Sequence, residues 1–190
     1  MATTMRNIKQ FELKFKPSLI PEIAARYSYS FQKEDDALKA GEQIRSGEYT
    51  RTNLERIFEW KTKGRGRSRL LVNTDEEIAD TLKLAMAAKT DRAAVAVLIG
   101  LSGVQVPVSS AILTAINPES FTIIDFRALE ALGVIQPSIN IDFYLKYLNK
   151  CRSLAKENNV PLRTLDRALW QWSKENSDLP ASKTSFPRKL

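Results

Sequence analysis

Histidine is absent from the 190 residues of this chain, and cysteine occurs once, at Cys151. Without an imidazole there is no Ser-His-Asp or Cys-His nucleophile, no His-ligated nuclease metal and none of the usual zinc centres. A lone thiol makes no internal disulfide, no four-cysteine zinc site and no cysteine-ligated iron–sulfur cluster, which points to a reducing, cytoplasmic setting. No stretch approaches the roughly 18 uninterrupted apolar residues of a membrane span, and the first residues lack the apolar run of a targeting segment. Any catalysis therefore falls to carboxylate, Lys, Tyr, Ser or Arg, and no resident cofactor or metal is expected.

Positive charge is what the chain has in excess. Its 29 Lys and Arg residues against 22 Asp and Glu give a formal net charge of +7, which favours a polyanionic partner, nucleic acid first. Hydrophobic residues make up 43% and charged residues 27%, with Gly and Pro scattered, so the chain reads as globular.

Apolar residues recur at helical spacing almost throughout. Thr52 with Glu55 has capping-box spacing ahead of Leu54, Ile57 and Phe58, and Thr74 with Glu77 repeats it ahead of Ile78, Leu82, Ala85 and Met86. A helix is expected from Asp35 to Arg45, ending near Gly47, and a shorter one from Pro21. Thr90 and Asp91 precede an apolar run, Ala93 to Ile99, that reads as a helix buried on all sides, with a strand as the rival reading. Asn140 opens a helix carrying Phe143, Tyr147, Leu148, Cys151 and Leu154, and Pro161 another carrying Leu162, Leu165, Leu169 and Trp172. The expected class is all-α: an N-terminal extension over residues 1–16, one helical domain over 17–179 and a frayed tail over 180–190.

One stretch carries chemical information. From Leu101 to Thr114 an apolar helix ends at a turn containing Gly103, and Pro107 starts a new helix at once, which is a helix-hairpin-helix pattern. Backbone amides of such a turn, Gly103 to Val106, can hold a DNA phosphate without a charged side chain, although the same turn also serves as a plain connection between two core helices. After the second helix comes Phe121-Thr122-Ile123-Ile124-Asp125, followed by Phe126 to Leu132.

Together these residues resemble the helix-hairpin-helix DNA glycosylase superfamily, whose pattern is Leu-Pro-Gly-Val-Gly, a helix, a loop, and an apolar run ending in Asp before another helix. Leu101, Gly103, Val104, Ala111, Leu113, Ile124 and Asp125 match it. The resemblance implies a bundle of two helical lobes with double-stranded DNA bound across the cleft, hairpin contacts from Gly103, Val104, Gln105 and Val106, and a possible monovalent cation at the hairpin. It departs at Gln105, where the family has glycine, at Pro107, where lyase members carry their Schiff-base lysine, and at Phe126-Arg127. What it implies is therefore monofunctional hydrolysis of an N-glycosidic bond by a monomer, with Asp125 stabilising positive charge on the sugar. The alternative is a helix-hairpin-helix DNA-binding module without catalysis, in which Asp125 only caps a helix.

Other candidates surround these. Lys61, Lys63, Arg65, Arg67 and Arg69, interrupted by Gly64 and Gly66, read as a phosphate-gripping loop, or as an ordinary solvated one. Trp60 and Trp170 are candidates to stack on an extruded base. The acidic groups Glu34-Asp35-Asp36 and Asp75-Glu76-Glu77 suggest a Mg²⁺ nuclease, but acids in first helical turns have a sufficient structural reason to be there.

Overall fold

The computed structural model describes residues 11–29, 31–134 and 138–177, so the tail expected over residues 180–190 lies outside the described residues. Among the described residues ten α-helices follow one another: α1 (Ile20–Ala25), α2 (Phe31–Arg45), α3 (Arg51–Thr62), α4 (Arg67–Leu70), α5 (Asp75–Ala87), α6 (Asp91–Leu98), α7 (Val106–Ile116), α8 (Phe126–Ala131), α9 (Ile141–Glu157) and α10 (Leu162–Asn176). No strand occurs among the described residues, and the class is all-α.

Caps explain most helix starts. The box at Thr74 and Glu77 is formed in both directions, and Thr90, Asp125 and Asn140 each accept a hydrogen bond from the amide three residues on. For α3 the sequence reading needs correction. Its cap is Thr50, whose extended backbone lets the hydroxyl accept from the Asn53 amide, while Thr52 lies within the helix and Glu55 pairs with Arg67 instead. Helix α2 likewise begins four residues before Asp35, at Phe31.

The helix enclosed on all sides is α7, not α6. Of α6 only Ala94, Val95 and Leu98 are buried and Ala96 is exposed, whereas α7 buries every residue from Ser109 to Ile116. Helices α2, α3 and α6 surround it. Its hydroxyls avoid an unmet polar burial by donating to carbonyls of the same helix: Ser109 to Val106, Ser110 to Pro107 and Thr114 to Ser110. Opposite, α10 packs on α1, α8 and α9 through Leu162, Leu165, Ala168 and Leu169.

The boundary placed after residue 16 also moves. Phe11 is in the core against Phe143 and Tyr147, and Phe15 stacks on Trp172 with ring centroids 5.8 Å apart. The Glu12 and Lys14 amides donate to the Leu132 and Ala131 carbonyls, so this segment closes the end of α8 and is part of the domain.

Helix α2 meets α7 at Gly41, where an added Cβ would stand 2.0 Å from the Ala115 carbonyl oxygen. Gly41→Ala is therefore expected to cost about 3 kcal/mol or more through overpacking, despite alanine's better helix propensity. Urea unfolding, read as a lower midpoint at unchanged slope, checks this.

Candidate functional site

Between α7 and α8 the chain runs extended from Phe121 to Asp125, and side chains occupy its backbone groups. Tyr144 and Tyr147 of α9, both fully buried, donate their hydroxyls to the Thr122 and Ile123 carbonyls at 3.1 and 2.7 Å. The Ile124 amide donates to Ser110 Oγ of α7 at 3.1 Å, and Lys61 Nζ of α3 donates to the Ile124 carbonyl at 3.4 Å. Asp125 emerges from this clamp as the cap of α8.

Both carboxylate oxygens of Asp125 have partners. Oδ1 accepts from the Ala128 amide at 2.9 Å, and Oδ2 lies 3.5 Å from Lys61 Nζ. The two side chains are 22% and 14% exposed, open enough for a ligand yet shielded enough for their charges to matter. Around them, Tyr29 donates its hydroxyl to the Trp60 carbonyl, and Trp170 sets its ring edge-on to Tyr29 at 5.4 Å. Arg127 lies over the rings of Phe126 and Trp170 at 5.0 and 5.3 Å, its Nη1 3.4 Å from Ser173 Oγ. Burial pushes the Tyr29 phenol above its ordinary range; the negative charge of Asp125 adds to this and Arg65 opposes it.

No family model, curated protein or solved structure matches this chain.

The structure places the sequence candidates differently from one another. Lys61 leaves the phosphate-gripping set, because its ammonium turns inward to Asp125. Lys63, Arg65, Arg67 and Arg69 stay at the surface, with Lys63 over the Tyr29 ring at 5.3 Å and Arg67 paired with Glu55. This loop lies against the hairpin: Gly103, at φ +84°, has the Leu70 amide nitrogen 2.9 Å from where a Cβ would stand. Asn73 ties the two together, donating to Ser102 O and accepting from Ser102 N.

Within the hairpin, Val104 and Val106 have buried side chains, and the Val104 amide is spent on Leu101 O. Among the described residues the amides of Gly103, Gln105 and Val106 donate to no other group, so these three are the available ones. Of the turn's carbonyls, Leu101 O accepts from the Val104 amide and Ser102 O from the Asn73 side chain. Among the described residues no cluster of three or more Asp, Glu or Cys is arranged to hold a metal. Among the described residues no helix is long and apolar enough to cross a membrane.

Trp60 is corrected outright. It is 2% exposed, under the Arg163 guanidinium at 5.4 Å, and cannot stack on a base. Trp170 keeps an open portion, with Lys174 and Arg127 over its ring.

Sequence reasoning missed the ionic knot behind the site. Glu34, from the supposed metal cluster, is 1% exposed and bonded to Arg163 and Arg167 of α10, while Arg163 also meets Asp166. Burial alone would raise the Glu34 carboxyl, but the two arginines overcome it and hold it low. At Asp166 burial wins: its carboxyl is pushed up to about 6, against Arg163 and Lys61 and with help from the Asp125 charge. A native pKa above the unfolded value contributes stability that is full below the ordinary 3.8 and lost as pH rises through about 6. Asp166→Asn should remove this decline, so unfolding midpoints across that window should fall with pH in the wild type relative to the variant. Parallel pH profiles for the two proteins would overturn the assignment.

Proposed function

We propose that the chain removes a damaged or mispaired base from double-stranded DNA by hydrolysing its N-glycosidic bond. In this reading it is a monomeric glycosylase-like protein of two helical lobes, with DNA across the cleft between them. The observation that carries it is the setting of Asp125. Six contacts fix the segment and its partly shielded carboxylate, and Tyr29, Trp170 and Arg127 lie around it.

Breaking the bond between base and sugar leaves positive charge on the sugar. A carboxylate held beside it in a partly dry site stabilises that charge and orients the attacking water, and the α8 cap keeps it from reorganising as charge develops. Lys61 balances Asp125 in the resting protein and must give way to the cationic sugar. Trp170 and Tyr29 offer ring surface to an extruded base, and the Gly103, Gln105 and Val106 amides with Arg65 and Arg69 offer donors to phosphates.

The second reading, a DNA-binding module without catalysis, also has a specific observation behind it. With one oxygen capping α8 and the other on Lys61, Asp125 is fully engaged as a structural residue.

End-labelled duplexes carrying a panel of damaged and mispaired bases, treated with alkali after incubation, distinguish the two. The expected result is alkali-dependent cleavage that drops at least about 100-fold in Asp125→Asn, with melting temperature nearly kept because Asn also caps helices. Binding without cleavage across the panel would select the inert module. Duplex affinity should also fall as salt rises, and the Arg65→Ala, Arg69→Ala double variant should flatten the log–log slope by about 2, close to 0.9 per lost phosphate contact. A salt-independent affinity would rule out phosphate-dominated binding.

A further inference from the structure

The half-buried rings at the candidate site already carry cations of the protein itself. Lys63 Nζ stands 5.3 Å from the centre of the Tyr29 ring. Arg127 lies 5.0 Å from the centre of Phe126 and 5.3 Å from that of Trp170, whose ring also receives Lys174 at 5.5 Å. Among the described residues none of these three cations forms an ion pair. The acids around them are answered by other groups: Asp125 by Lys61, Glu59 by Lys33, Glu175 by Arg26, and Glu130 by the Ser173 and Ser177 hydroxyls. What the rings and their cations present to a ligand is therefore positive potential and N–H donors.

We propose that the site takes an uncharged base bearing an added carbonyl and turns away a base alkylated to a cation, with Arg127 as the residue that sets the choice. This rests on the duplex-binding reading above and goes on to name the class of base. Bare aromatic faces attract a cationic base through the negative face of the ring. Here that face is answered by Lys63, Arg127 and Lys174, and a cation stacked on the other side would meet like charge across the ring. Alkylation at a purine N3 or N7 makes the base cationic, whereas oxidation and deamination leave it uncharged and add a carbonyl acceptor. Arg127 suits the second kind. Its guanidinium is a planar fork of five N–H donors, and among the described residues its one hydrogen bond is the 3.4 Å contact to Ser173 Oγ. Such a fork reads adjacent acceptors on a base edge. An uncharged base is also the poorer leaving group, the one that most needs the fixed charge of Asp125.

The test uses two duplexes that differ from an undamaged one only at the N7–C8 edge of a single guanine opposite cytosine, one holding 8-oxoguanine and the other cationic 7-methylguanine. Both nucleotides carry a 2′-fluoroarabino sugar, which keeps the glycosidic bond intact, so binding is read and no turnover is needed. The full chain is expected to bind the 8-oxoguanine duplex at least about tenfold more tightly than the 7-methylguanine duplex, and Arg127→Gln to bring the two within about threefold. Thermal melting checks each protein. Lys174→Gln, at an exposed position, should narrow the ratio by a smaller factor, and it decides the matter if Arg127→Gln does not fold. Wild type that binds both lesions equally, or 7-methylguanine better, overturns the proposal and leaves duplex binding intact. A folded Arg127→Gln with the wild-type ratio overturns the role of Arg127, and an unchanged ratio in Lys174→Gln does the same for the cationic rings where that variant stands alone. Wild type that binds no duplex removes the underlying reading and this proposal with it, whereas absence of cleavage in the panel assay removes only catalysis.

Discussion

An extended segment inside a helical protein has a problem that helices do not: its amides and carbonyls lack partners of their own kind. From Thr122 to Ile124 this chain solves it with side chains from three helices, Lys61 of α3, Ser110 of α7, and Tyr144 and Tyr147 of α9. Each contact is buried or nearly so, and an unmet buried group costs about 1–3 kcal/mol, so the segment holds those helices together as much as they hold it. Ser110 shows how fully the arrangement is used. Its hydroxyl donates to Pro107 O and accepts from Ile124 N, engaging both of its capacities. The position of Asp125 follows from this clamp.

Behind it lies the knot of Glu34, Arg163, Asp166 and Arg167, joining α2 to α10 across most of the sequence. Buried ion pairs often contribute little net stability, because desolvation offsets attraction. Their value here is geometric. Arg163 spreads over Tyr27 and Trp60, so the guanidinium also sets the end of α3 from which Lys61 projects. The charges of Asp166, Lys61 and Asp125 act on one another, so the site is electrostatically continuous with the interior.

Much of this was legible in the sequence where the signal is local. The Thr74, Thr90 and Asn140 caps, the Pro107 start of α7 and the Asp125 cap of α8 each depend on residues within one turn, and spacing reveals them. The errors came from nonlocal causes. Thr50 and Thr52 compete for one helix start, and backbone conformation decides between them. Whether an apolar run is enclosed depends on its neighbours: α6 has the more continuous hydrophobic sequence, yet α7, with two serines and a threonine, occupies the centre. Lys61 belongs by composition to a basic loop, and only the packing of α3 against the Asp125 segment turns it inward. Likewise Trp60 lies in the core rather than at the surface, since the apolar pattern does not say which end of a helix the core will cover.

The geometry of α7 links the two halves of the candidate site. Ser110, where the Asp125 segment is tied, is four residues from the helix start at Val106, which at 1.5 Å per residue is about 6 Å along the axis. The free Gly103, Gln105 and Val106 amides and the carboxylate are therefore referenced to the same end of one buried helix. Nothing flexible intervenes, because the hairpin is braced by Asn73 and the extended segment by its clamps. A ligand that touched both places would need an anionic group and a reactive centre a short, fixed distance apart, as a phosphate and a neighbouring sugar are along one strand. A helix buried on every side is well suited to keeping that distance, since a tilt would disturb close-packed contacts with α2, α3 and α6 together, beginning at Gly41 where no side chain fits.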